Sequence, residues 1–520
     1  MTTASGLKTD WDMIIIGGGI TGAGVFREAC RMGLSVLLLE QKDFAWGTSS
    51  RSSKMVHGGL RYLIEGKVRL SMASVRERQR LLAEAPGLVD PLGFLTPVYT
   101  THGPSKGLLG MALSAYSLMA MKKQHTRLSP EQTKERIPLI RTDHLDAAFC
   151  FQDAQADDAR LVLRLLNEGC ARGGTALNYT KVVRVERGRE GRVAAVTIED
   201  TETKEAAEFR TRVVINATGA WAESLHPSPV KGFHLRPLRG SHLFFPGELL
   251  SLDAVLSFFH PADKRPVFIY PWEGCLVLGT TDEDHADPLD RESSIAQEEA
   301  AYLMEGLEFI LPGSKISEKD CISSIAGVRP VLSKGGKEAS KESRDHVVWE
   351  DRGLITVTGG KLTTFRIIAY DALKAARKYL PQFSWSRKSA IFDPPVPEET
   401  DREALSLLPR DVRQRLCGRY GNMVGSLMNT PEEEDGSFVP GTSTLWREMA
   451  FAAAHEQVRH LSDLLLRRVR IGLLLPGGGG EHLDRIGRLC KRALSWDDGR
   501  WNEEKKQYLE EWQNHYAPPF

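Results

Sequence analysis

Gly17, Gly19 and Gly22 stand in G-x-G-x-x-G spacing directly after the apolar run Met13–Ile16. That spacing suits phosphate chemistry. The first glycine makes a tight turn, the second lets backbone approach a pyrophosphate, and the third lets a helix pack closely on a sheet. The spacing predicts a helix from about Thr21 to Met32, whose positive end would face the phosphates. "LSVLLLE" then reads as a second strand ending in Glu40, 18 residues after Gly22. A carboxylate there can accept hydrogen bonds from ribose hydroxyls. A glycine motif alone is weak; strand, glycines, helix, strand and acid in that order make the reading specific.

Two later stretches have the same strand-to-turn character. "RVVINATGAW" (Arg212–Trp221) runs into small residues at Gly219, and "GLITVTGGKLTTFR" (Gly353–Arg366) runs into Gly359 and Gly360. Leu362 and Thr363 then open a helix, and such a helix start can bring backbone N–H groups to a flavin's carbonyl edge. No second G-x-G-x-x-G unit occurs, and "PGGGGEH" at 476–482 follows no convincing strand. One dinucleotide therefore serves as the redox centre. Three such units from distant parts of the chain suit a long cofactor, FAD.

The elements that position these groups must fit a chain of 520 residues, which implies two or three domains. Lys plus Arg equals Asp plus Glu, 68 each, so bulk charge gives no case for nucleic acid. Seven scattered cysteines without a C-x-x-C pair point to a reducing compartment, with no zinc site and no disulfide framework. Residues 1–12 lack the charged and apolar regions of a secretion signal. Gly107–Met121 is mostly apolar and lies between Lys106 and Lys122-Lys123. It is shorter than the roughly 18–20 residues that a bilayer span needs. A buried core helix and an interfacial helix with lysines at the headgroups both remain open.

These stretches, with "TSSRSSKMVHGGLRYL", "FQDAQADDARLVL", "RGSHLFF", "GTTDEDHADP" and "AGVRP", carry a family resemblance. The sequence resembles the FAD-dependent glycerol-3-phosphate dehydrogenases, within the D-amino-acid-oxidase-like flavoproteins. The matching motifs span about residues 12–370, in the family's order. The resemblance implies an α/β fold with a discontinuous, Rossmann-like FAD-binding domain built from 10–75, 150–235 and 325–385. It implies a β-sheet substrate domain from 76–149 and 236–324, and a helical C-terminal domain over 390–520. The residues agree: "RPLRGSHLFFP", "RPVFIYPW" and "GCLVLGTTD" read as strands. "DPPVPEET" reads as a linker, and the apolar spacing after Thr444 is helical.

The resemblance also implies roles. Thr48, Ser49 and Ser50 would meet the cofactor's diphosphate and flavin, and Ser53, His57, Gly58 and Gly59 would continue along the flavin. Arg61 and Tyr62 would reach the substrate. Arg329 and Arg344 would grip its phosphate, because a guanidinium fork matches phosphate oxygens. Lys361 would lie near the substrate. His242 is the general-base candidate, and Arg329 could instead stabilise a developing alkoxide. The implied activity is oxidation of sn-glycerol 3-phosphate to dihydroxyacetone phosphate, with hydride passing to FAD and electrons to quinone or another acceptor. The implied setting is cytoplasmic, peripheral on the inner face of the cytoplasmic membrane, with a homodimer left open. Two other readings stay open: an FAD-dependent oxidase or dehydrogenase of another polyol phosphate or hydroxy acid, and a non-catalytic FAD-binding subunit. Arg239 departs from the family, which often carries lysine there. "LLLRRVR" (Leu464–Arg470) could face a partner, a membrane or solvent.

Overall fold

Every side chain of Met13–Ile16 is buried. A strand that is apolar on both faces needs cover on both. The cover is visible in the computed structural model, which describes residues 6–520 except 65, 121–124, 226–233, 334–344, 384–385, 387–388, 395–398 and 431–436, together with the side chains of 61 and 399–402. Met13 and Ile15 point into one core, formed with the helices Ile20–Arg31, Asp158–Ala171 and Phe365–Ala376. Ile14 and Ile16 point into another, beneath the antiparallel sheet of Thr180–Arg187, Val193–Asp200 and Ala206–Arg210. The alternation follows the two-residue period of a strand.

Met13–Ile16 is central in a six-stranded sheet. The order is His346–Asp351, Leu354–Gly359, Val214–Asn216, Met13–Ile16, Val36–Leu39 and Thr175–Leu177. All pair in parallel except the edge strand His346–Asp351. The three strand-to-turn units read from sequence are thus neighbours in one sheet. A crevice at the carboxyl ends of parallel strands is where such sheets bind ligands.

A second, larger sheet carries the substrate side. Its central strands are His234–Pro246, Cys275–Gly279, Pro266–Trp272, Ala254–Phe259, Val89–Tyr99 and Leu145–Ala156, with Ser323–Ser333 along the other edge of His234–Pro246. One face packs on the helix Gln297–Ile310 and the other on the C-terminal helices. The expected domain edge at 325 falls inside Ser323–Ser333, which pairs with His234–Pro246 along its whole length. The edge at 150 likewise falls inside Leu145–Ala156. Both strands belong to the large sheet by their pairing partners.

One open reading resolves here. Arg467, Arg468 and Arg470 of "LLLRRVR" face neither membrane nor solvent; all three are buried. Arg467 and Arg468 pair with Asp43, and Arg470 pairs with Asp158. The helix Lys106–Met119 is two-faced. Leu109, Leu113 and Tyr116 are buried, while Leu108, Met111 and Leu118 are 43%, 68% and 79% exposed. Among the described residues no helix is long and apolar enough to cross a membrane. All seven cysteines are free thiols.

Candidate active site

The cofactor cradle begins with a packing constraint. A Cβ on Gly22 would lie 1.9 Å from the Gly17 carbonyl oxygen, so only glycine permits this turn. The helix Ile20–Arg31 starts at Gly19 with no side-chain cap and no acid in its first turn. Its positive end is therefore open to an anion. The Ser49 hydroxyl accepts the Ile20 N–H at 2.9 Å, which places Ser49 at that entrance. Glu40 ends its strand with Oε2 on the Gly18 N–H at 2.7 Å and Oε1 on the Lys42 N–H at 2.9 Å. Burial raises its pKa. Each oxygen retains lone-pair capacity for a ribose hydroxyl. A second open helix start lies at Lys361, after Gly359 and Gly360 with φ of 77° and 80°. It too has no side-chain cap and no acid in its first turn. Two helix starts without an acid in the first turn and a carboxylate at the end of a βαβ unit fit the diphosphate, flavin carbonyls and ribose of FAD.

The substrate sheet presents one face to the segment after the cradle. Leu238, Gly240, His242 and Phe244 share a face by strand alternation, and Arg329, Gly327 and Ile325 lie opposite the first three. Residues 48–53 run against this face. Thr48 Oγ1 donates to the Val328 carbonyl, a Cβ on Gly327 would meet Arg51, and Ser53 Oγ lies 2.9 Å from His242 Nε2. The Ser53 carbonyl accepts from the Tyr270 hydroxyl at 2.8 Å. Ser53, expected on the flavin, thus has its side chain on the histidine. His242 is buried, and its Nδ1 has no hydrogen-bond partner among the described residues. Burial, then the charges of Lys54 and Arg329, push its pKa down to about 3, so the imidazole is neutral at physiological pH.

Arg329 is anchored at Nη2. Nη2 donates to the Thr281 carbonyl at 2.8 Å and to Asp282 at 2.9 Å, fixing the guanidinium plane. Sequence reasoning named Arg329 but missed this anchor, although "GTTDED" contains both residues.

The other end of the segment meets the second helix start. The His57 carbonyl accepts from Thr363 Oγ1 at 3.3 Å, and the His57 ring stacks on Tyr62 with centroids 6.4 Å apart. Lys361 Nζ lies 4.2 Å from the Tyr62 ring centroid, a cation–π geometry. Arg61 belongs to the helix Leu60–Ile64, with its side chain outside the described residues, as is Arg344 entirely. Residues 48–62 therefore join the cradle, the His242–Arg329 face and the Tyr62–Lys361 pair. Gly219 sits at the turn after Val214–Asn216, and its carbonyl accepts from Thr358. Ser50 is buried at the end of the turn Thr48–Ser50. Among the described residues no group of His, Cys, Asp and Glu is arranged to hold a metal.

A parallel sheet with an open phosphate turn, facing a substrate sheet that carries arginine and histidine, defines a flavin-dependent oxidoreductase. The comparisons agree. Residues 12–366 match the family model described as FAD dependent oxidoreductase, and residues 376–501 match the C-terminal domain of alpha-glycerophosphate oxidase. The aerobic glycerol-3-phosphate dehydrogenase of Staphylococcus haemolyticus is 31% identical over 96% of this chain and 93% of its own. That of Staphylococcus aureus is 30% identical over 88% of this chain and 86% of its own. Among solved structures, the FAD complex of the Bacillus halodurans glycerol-3-phosphate dehydrogenase superposes with a TM-score of 0.79. It has 25% identity over 99% of this chain and 96% of its own. The chain belongs to the FAD-dependent oxidoreductase family, in its aerobic glycerol-3-phosphate dehydrogenase branch.

Proposed function

We propose that the chain oxidises sn-glycerol 3-phosphate to dihydroxyacetone phosphate and hands the electrons to quinone at a membrane surface. The observation that carries the reading is the path of residues 48–62, which brings the cofactor cradle, His242, Arg329, Tyr62 and Lys361 to one site. FAD, when bound, supplies the hydride acceptor. The protein supplies the rest. Arg329 and Lys361 offer charge to the phosphate, and the Asp282 and Tyr62 contacts hold each in place. Neutral His242 takes the hydroxyl proton as hydride leaves, with Ser53 on the exit side of its ring. Burial and the charges of Lys54 and Arg329 keep the imidazole unprotonated beforehand, so a ring-nitrogen lone pair is available for that proton.

Replacing Arg329 with Ala tests the phosphate grip. Losing a charge-assisted bond of about 1.5–3 kcal/mol raises KM roughly 10- to 100-fold. The FAD content of the purified protein stays unchanged; an equal fall in FAD content would make Arg329 structural.

The membrane setting rests on the two-faced helix. Leu108, Met111 and Leu118 form an exposed stripe, and the neighbouring helix Leu60–Ile64 adds exposed Ile64. Val68 is exposed just beyond it, between Lys67 and Arg69 in sequence, and Lys106, paired with Asp146 at 2.6 Å, opens the two-faced helix. An apolar stripe with cations beside it in sequence suits an anionic lipid surface. All seven cysteines being free suits the cytoplasmic side. Met111→Glu with Leu118→Glu should abolish flotation with phosphatidylglycerol vesicles and spare dye-coupled turnover. Undiminished flotation sinks the membrane reading, and stoichiometric peroxide release would favour the oxidase alternative.

A further inference from the structure

Ser71, Val75 and Arg78 lie at i, i+4 and i+7 on the helix Val68–Glu84, so they share one helix face. All three are buried; Ser71 and Val75 meet the short turn Gly58–Gly59, and Arg78 reaches it through Asp153. Ser71 Oγ donates to the Gly59 carbonyl at 3.1 Å. A Cβ on Gly58 would sit 2.6 Å from Val75 Cγ2 and 2.2 Å from the Tyr116 hydroxyl, so the turn is packed to backbone contact. Arg78 Nη1 donates to the Tyr116 hydroxyl at 3.0 Å and to the Gln152 carbonyl at 3.1 Å, and it pairs with Asp153. Asp153 Oδ1 accepts from the Tyr116 hydroxyl at 2.7 Å and from the Gly58 N–H at 3.1 Å.

One buried carboxylate oxygen thus gathers an arginine, a tyrosine and the backbone of the turn. Asp153 stands within the strand Leu145–Ala156, between the partner strands Val89–Tyr99 and Met55–Val56. A site is held accurately when its supports stand on such rigid elements. What the turn positions is the substrate end of the site. Gly59, at φ 80°, sends the chain into Leu60–Ile64, and its carbonyl accepts the Tyr62 and Leu63 N–H groups. Lys361 Nζ would lie 3.2 Å from a Cβ on Gly59.

We infer that Asp153, with Arg78, Tyr116 and Ser71, is a positioning anchor that sets where Tyr62 and Lys361 meet the substrate's phosphate. None of the four needs to touch substrate or cofactor; they act through the turn. The inference rests on the proposed reading that Lys361 offers its charge to the substrate's phosphate.

The test uses the FAD-loaded full chain carrying Tyr116→Phe, which removes one hydroxyl and keeps the ring, and separately Ser71→Ala. Amide hydrogen exchange without substrate should quicken at residues 55–63 and stay as before elsewhere. KM for glycerol 3-phosphate should rise about tenfold, as for a small misplacement of a binding group, with kcat nearly constant and FAD content unchanged. Unaltered exchange at 55–63, or a KM that does not move, overturns the anchor. A fall in FAD content parallel to the KM change overturns it as well, since the role would then be structural. If the unaltered holoenzyme is not reduced by glycerol 3-phosphate, the functional reading fails, and the exchange arm alone decides whether the turn is anchored. Asp153→Asn is the harsher variant, expected to quicken exchange at 55–63 further.

Discussion

Residues 12–40 and residues 456–470 both pack against the cofactor side of the molecule, and different physics holds each. The first region is apolar strand, glycine turn and uncapped helix, with Ile14, Ile15, Leu37 and Leu38 fully buried. The second is tied down by ions. Glu456 takes Arg160 at 2.7 Å, Asp43 takes Arg467 and Arg468, and Arg470 reaches Asp158 at 3.2 Å and the Ser50 carbonyl at 2.9 Å. The anchoring points lie on the loop after the βαβ unit and on the start of the helix Asp158–Ala171. The C-terminal region therefore clasps the loop from Asp43 to Ser50. Backbone geometry shapes the site, and buried charge pairs keep its loop in place.

The largest effect should come from the backbone region. Gly22→Val puts a side chain onto the Gly17 carbonyl, where a Cβ already stands 1.9 Å away. The purified variant should lack the flavin band near 450 nm; full flavin loading would show that the turn tolerates opening. The clasp breaks differently. Arg468→Met leaves the buried Asp43 with less compensation, and breaking a buried pair costs about 3–5 kcal/mol. Urea unfolding at saturating FAD measures it, and a loss under about 1 kcal/mol would mean that the pair acts as a surface bridge does.

This contrast also explains what the sequence disclosed. Glycine spacing, short apolar runs and a strand-ending acid are local patterns, so the three strand-to-turn units could be read and FAD inferred. Asp43 and Arg468 are 425 positions apart. No local pattern pairs them, and "LLLRRVR" stayed ambiguous for that reason. The same holds for Arg329 and its anchor Asp282, and for Asp153 beneath Gly58. The helix Lys106–Met119 was misleading in another way: mean apolarity hid that its two faces have different surroundings. His242 was named from its motif, while its neutral state comes from burial and then from Lys54 and Arg329, all of which only folding supplies.

The smallest effect concerns the rim of the clasp. His460 lies between Glu202, 2.8 Å from Nε2, and Glu504, 3.0 Å from Nδ1. Burial works against its charge, but the two carboxylates more than offset that and hold its pKa up at about 10. Its unfolded value is about 6.5. A raised folded pKa means that the stabilisation is complete below about pH 6.5 and lost as pH rises through about 10. The urea midpoint should fall over that window in the parent and fall less in His460→Gln. Equal slopes would remove His460 from the account.

The central claim is that one segment, residues 48–62, joins a flavin cradle to a phosphate-binding substrate site. Anaerobic mixing of the purified holoenzyme with glycerol 3-phosphate, followed at 450 nm, tests it most directly. The flavin band should bleach fully with glycerol 3-phosphate and stay with glycerol at equal concentration. Equal bleaching by both, or by neither, would contradict the claim.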